Sequence, residues 1–141
     1  MSASQSLQSK LMKGGLLDIS DLSESSVLDV AQHAGLAALV ADCDRARSLS
    51  AILRAVAKAV DFPEFFGSDL EALYDCLCDT VSDQDVGVFL WFAKLHTGDN
   101  VIAEHANTVL QVCNDVAEYA QNNDKVFSFY IEHSGRHPEE D

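Results

Sequence analysis

Positive charge is what the middle of this chain lacks. Between residues 59 and 124 there are thirteen acidic residues and a single base, Lys94, for a net charge of −12. Residues 1–58 carry six of each sign and balance, and residues 125–141 carry four acids against two bases, which completes the −14 of the whole. The acidity therefore marks a region of the molecule rather than a general bias. Such a surface repels nucleic acid and anionic membranes and draws in cationic partners. A long apolar run is missing too, since no stretch approaches the ~18 residues that read as a membrane helix. The opening "MSASQSLQSKLMKGG" has no apolar core of the kind a secretory signal carries, so a cytoplasmic protein is expected.

The sequence also lacks the motifs of catalysis and metal binding. There is no H-E-x-x-H, no G-x-S-x-G and no phosphate-cradling glycine loop. His96, Glu104 and His105 could serve as acid–base groups in principle, but nothing in their spacing organises them, and no enzyme activity is expected. Asp75 and Asp79 are one helical turn apart, without an oxygen-rich calcium loop around them. The cysteines Cys43, Cys76, Cys78 and Cys113 do not have the spacing of a zinc knuckle. Cys76 and Cys78, two apart on a helix, point to nearly opposite sides. Reduced, mostly buried thiols are expected, with no metal and no cofactor.

What is present suits one globular domain: 141 residues, 48% of them hydrophobic, enough to build a core without crosslinks. Residues 1–24 are Ser-rich and weakly patterned, which predicts a loose arm, partly disordered. A short helix is expected near 26–34, capped by Ser25 or Ser26 and stopped by Gly35, so that residues 1–35 form an N-terminal extension. "LAALVADC" (Leu36–Cys43) reads as a strand buried on both faces. Ser48–Val60 has apolar residues at helical spacing, and Pro63 breaks that helix. Ser68 and Glu71 suggest a capping box opening the next helix, with Leu70, Leu73 and Leu77 as its buried stripe. Strands over Val86–Leu95 and Lys125–His133 flank a helix over about 101–121, and 134–141 is a flexible polar tail. Helical crossovers between strands imply an α/β fold with a three-stranded parallel sheet, helices packed against it, and the N-terminal helical extension added.

The segment "FPEFFGSDLEALYDCLCD" (Phe62–Asp79) concentrates the anomaly. It holds Glu64, Asp69, Glu71, Asp75 and Asp79 and no base. Glu71, Asp75 and Asp79 recur every fourth residue and form one stripe on a helix, where like charges repel by roughly 0.2–0.5 kcal/mol per pair. Folding alone gains nothing from this. Phe65, Phe66 and Tyr74 accompany the acids, an aromatic–carboxylate pairing common at interfaces, although pattern alone also fits all three as core.

This stretch resembles the signature of the barstar family, intracellular protein inhibitors of secreted microbial ribonucleases. Pro63, Glu64, Gly67, Leu70, Ala72, Leu73, Asp75, Cys76 and Leu77 match it, and "VLQV" (Val109–Val112) matches a later helix. The resemblance spans about residues 36–133 and leaves 1–35 without a counterpart in the short members. It implies that Asp75 occupies the phosphate site of a basic ribonuclease and that Glu71 lies beside it. It also implies that Phe65 and Tyr74 are aromatic contacts and that Asp115 pairs with an outlying base. Asp79 extends the stripe and joins the expected contact set. Relative to the best-known member, Phe65 stands for a tyrosine and Tyr74 for a tryptophan, while Glu71 and Asp115 exchange aspartate and glutamate, so the cognate enzyme is expected to differ. The implied function is a one-to-one complex with a ribonuclease, formed by a protein that is a monomer when free and binds neither nucleic acid nor membrane. The alternative is an immunity protein or acidic interaction module on the same fold, directed at another toxin or a non-nuclease partner.

Overall fold

The chain folds around a parallel sheet that separates two cores. In a computed structural model, which describes residues 3–17, 23–61 and 69–133, the elements are α1 (Ala3–Lys13), β1 (Gly15–Leu16), α2 (Glu24–His33), β2 (Leu36–Asp42) and α3 (Leu49–Ala59). They continue with α4 (Leu70–Ser82), β3 (Gly87–Leu95), α5 (Asn100–Asn122) and β4 (Val126–His133). The sheet order is β1-β4-β3-β2, and every pairing is parallel. The sheet thus has four strands rather than the three expected, because the N-terminal segment adds β1 outside β4. Residues 3–13, expected as a loose arm, are helical. The polar, Ser-rich sequence hides this, because among the residues of α1 whose burial is described, only Leu7 and Leu11, one turn apart, are buried hydrophobics. The expected tail, 134–141, lies outside the described residues.

The handedness of the connections explains the two layers. From β2 to β3 to β4 the chain steps in one direction across the sheet, so right-handed crossovers place α3, α4 and α5 on one face. The β1–α2–β2 connection steps the opposite way, and the same handedness puts α2 on the other face. The central strand β3 serves both layers by alternation. Val88, Leu90 and Phe92 enter the core under α3, α4 and α5, while Phe89, Trp91 and Ala93 enter a second core with Leu7, Leu11, Leu17, Val27 and Ala31. Strand β2, expected to be buried on both faces, is instead an edge strand whose residues Ala37, Ala38, Leu39 and Val40 are half-buried. An apolar run without alternation cannot distinguish the two placements.

Local chemistry fixes the element ends. Ser23, not Ser25 or Ser26, caps α2, its hydroxyl accepting from the Ser26 amide at 3.2 Å. Ser48 caps α3 in the same way, at 3.1 Å from the Ala51 amide. Near the end of β3, Lys94 has a positive φ of 54°, and the pairing with β4 shifts register between Phe92 and Leu95. The Glu132 carboxylate receives the Lys94 amide at 3.2 Å, satisfying a backbone donor within the bulge, and also accepts the Trp91 indole N–H at 3.3 Å. Beyond it, Nε2 of His96 lies 3.0 Å from Asp44, tying the end of β3 to the loop after β2. This hydrogen bond holds the Asp44 carboxyl below its ordinary range. Among the described residues, no helix is long and apolar enough to cross a membrane.

Gly87 opens β3 where only hydrogen fits. A Cβ there would lie 1.9 Å from the Val126 carbonyl oxygen, and that obstacle is backbone. Gly87→Ala is expected to destabilise the fold by at least the roughly 1–3 kcal/mol typical of overpacking, because β4 must move as a unit. Chemical denaturation of the variant reads this out, and an unchanged midpoint would show that the two strands are not held so close.

All four cysteines are free and buried. Burial pushes the Cys43 thiol up to about 12 and Cys76 to about 11, and it raises Cys78 and Cys113 as well. They are protonated and shielded at neutral pH, so a disulfide-exchange reagent should label the native protein slowly and all four thiols once denaturant is added. Rapid labelling of a thiol in the native state is the contrary result.

Candidate functional site

The candidate site is an acidic cleft between α4 and α5. Asp69 starts α4, its Oδ1 accepting from the Glu71 amide at 3.0 Å and the Ala72 amide at 3.2 Å. The cap is therefore Asp69, one residue after the expected Ser68, which lies outside the described residues. Asp99 starts α5 equivalently, with contacts of 2.8 and 3.3 Å to the amides of Val101 and Ile102. The inner face of α4 is apolar: Leu73, Cys76, Leu77, Cys78 and Val81 are buried against the core. On α5, Ile102, Ala106, Val109, Cys113, Val116 and Ala120 do the same. Packing these faces fixes the rotation of both helices. The acids between the apolar positions are thereby turned to solvent, with Glu71, Asp75 and Asp79 exposed on α4 and Asp115 and Glu118 on α5.

Four of the residues singled out in the sequence come together here. Glu71, Tyr74 and Asp75 from α4 and Asp115 from α5 line one cleft of about 750 Å³. Asp79 is exposed on α4 but is not part of the lining. Phe65 lies outside the described residues, as do Phe66 and the rest of 62–68. Sequence reading missed the contribution of α5 beyond Asp115: Glu118, Tyr119, Asn122 and Asn123 also line the cleft. A signal was available, since 115, 118, 119 and 122 share one helical face at i, i+3, i+4 and i+7.

The electrostatics are one-sided. None of the described lining residues is basic, and no ion pair between described residues involves Glu71, Asp75, Asp115 or Glu118. The helix dipole of α4 favours Glu71 in its first turn, but it does not compensate the acids farther along. Asp79 lies toward the C-terminal end of α4, whose last turn holds no base, and Glu118 sits in the last two turns of α5. Two tyrosines flank the acids. The Tyr74 hydroxyl is raised above its ordinary pKa first by its hydrogen bond with the Cys78 thiol, then by partial burial, with Asp115 among the further causes. It therefore stays protonated and able to donate. The Tyr119 hydroxyl lies 2.9 Å from Ser82 Oγ, bridging the C-terminal end of α4 to α5 and bracing the cleft wall. Among the described residues, no cluster of three or more His, Cys, Asp or Glu could hold a metal ion. The cleft as built is a fixed negative surface with aromatic sides.

A scan of family models matches residues 36–132 to a family described as Barstar (barnase inhibitor). The chain belongs to the barstar family. The match begins at the first residue of β2 and ends within β4, so the barstar region comprises three strands and α3 to α5. It includes the whole acidic cleft. The fourth strand and the second helical layer lie outside it, which is why a barstar-based expectation counts three strands. No curated protein matches the chain.

Proposed function

We propose that this protein inhibits a ribonuclease of microbial type by setting the acidic cleft and α4 into the enzyme's cationic active site. The observation that carries this reading is that α4 and α5 bring Glu71, Asp75, Asp115 and Glu118 around one cleft with no basic residue among its described lining. A ribonuclease must bind a polyanion, so its active site is lined with cations. Carboxylates on two braced helices can take the places of RNA phosphates there. Asp75, midway along α4, stands in for the phosphate at the reacting centre, and Glu71 for its neighbour one turn earlier. Asp115 meets a more distant base, while Tyr74 supplies flat contact area. Inhibition by occlusion needs no catalytic group in the inhibitor. Each copy binds one enzyme, with Asp79 contributing beside the cleft and Phe65 as a further aromatic contact.

The test is titration of a basic microbial ribonuclease with the purified protein, following RNA hydrolysis. Activity should disappear at equimolar inhibitor. Because opposite fields steer the encounter, the association rate should fall steeply as salt rises, as screening shortens the Debye length to ~8 Å at physiological ionic strength. Unimpaired hydrolysis by every ribonuclease encoded beside the gene, or an association rate indifferent to salt, would reject the reading.

A further inference from the structure

The open edge of β2 is the second interaction surface of this molecule. We infer that it pairs antiparallel with β2 of a second copy, about a two-fold axis at Leu39, to give a dimer with one continuous eight-stranded sheet. Strand β2 pairs with β3 on one side, and among the described residues nothing pairs with the other. Its sequence, LAALVAD, has no charge before its last residue and no proline, and its pairing with β3 runs in unbroken register. Edge strands are ordinarily blunted by charges, prolines or bulges, and this one is not. Ala37, Ala38, Leu39 and Val40 are half-buried, so apolar surface on both sides of the strand remains to be covered.

Two features select a second copy as the occupant. The first is self-complementarity. With Leu39 on the axis, Ala37 faces Ala41 of the other copy, Ala38 faces Val40 and Leu39 faces itself. Like therefore meets like on both faces of the extended sheet. The second is charge. Antiparallel pairing places the loop after β2 of one copy beside the C-terminal turn of α2 in the other, because α2 leads into β2 through Gly35. Asp42, the last residue of β2, accepts the Asp44 amide at 3.1 Å, and Asp44 in that loop is held by His96, so both acids are engaged within their own copy. Exposed Arg45 and Arg47 then face the negative end of the α2 dipole, where Asp29 lies 3.7 Å from Nδ1 of its own His33, and symmetry repeats the contact. Residues 1–58 are charge-balanced in a molecule of net charge −14, which makes this the side on which two copies can approach. No residue of the acidic cleft lies on α2, β2 or α3, so the dimer leaves both clefts open.

Sedimentation of the full chain across micromolar to high-micromolar concentrations tests this. A concentration-dependent monomer–dimer equilibrium is expected. Leu39→Lys, which sets two ammonium groups against each other on the axis, should shift it at least tenfold toward monomer. Leu39→Cys should form a covalent dimer on mild oxidation, because the native thiols are buried and the new pair is within bridging distance. A wild-type protein that is monomeric throughout overturns the proposal, as does a folded Leu39→Lys variant that dimerises unchanged. If Leu39→Lys does not fold, the crosslink decides: a Leu39→Cys protein that yields no covalent dimer also overturns it.

Discussion

Asp75→Ala should weaken the complex with the cognate ribonuclease more than any other single truncation in the cleft. Asp75 is exposed at mid-helix on α4, and no ion pair between described residues holds it within its own molecule. Its desolvation on binding is therefore offset only by the enzyme's cations. Removing one partner of a buried, hydrogen-bonded charge pair leaves the other unpaired. The loss is ~2–5 kcal/mol or more, a range set by the barnase–barstar pair itself and so taken over from the family. It should appear mainly in the dissociation rate, since the remaining acids still steer the encounter. Asp115→Ala should cost less, because the proposed binding mode sets it on the second helix, toward the margin of the contact. Calorimetry of the two variants beside wild type measures this, and equal affinity for wild type and Asp75→Ala would remove α4 from the centre of the interface.

Leu11→Ala is the second large effect, and it concerns stability. Leu11 is fully buried in the core formed with Phe89 and Trp91, although it comes from a helix outside the barstar match. Truncating a buried leucine costs about 2–5 kcal/mol through lost transfer energy and the cavity left behind. Against a typical total of ~5–15 kcal/mol, that is a large share. Met12→Ala, one residue along and 38% exposed, should change little. Removing residues 1–35 altogether should uncover Phe89 and Trp91 and yield an aggregating chain. Equal thermal midpoints for Leu11→Ala and Met12→Ala would mean that α1 is an appendage and the domain begins at β2.

The same contrast separates what was readable in the sequence from what was not. The order of strands and helices from Leu36 onward was legible, because each element carries its own period and stop signals. Ser48 opens α3, Asp99 opens α5, and the apolar positions of α5 recur at helical spacing. Glu71 and Asp75 were legible as partners because they lie one turn apart on one helix. The α5 side of the cleft was not, since Glu118 and Tyr119, more than forty residues after Asp75, become its neighbours only when α4 and α5 pack together. Nor was the role of α1, whose two buried leucines give too faint a pattern until the handedness of the β1–α2–β2 connection puts a second layer where they can reach Phe89.

By itself, then, the sequence determined the local structure from Leu36 onward, the sign of the charge in residues 59–124 and the residues able to resemble phosphates, because periodicity, capping and charge are properties of neighbours along the chain. The tertiary structure decided that β2 is an edge, that β1 joins the sheet and that the acids of α4 and α5 share one cleft. Those outcomes depend on which faces are buried against each other, and burial is settled by contacts between residues far apart in sequence.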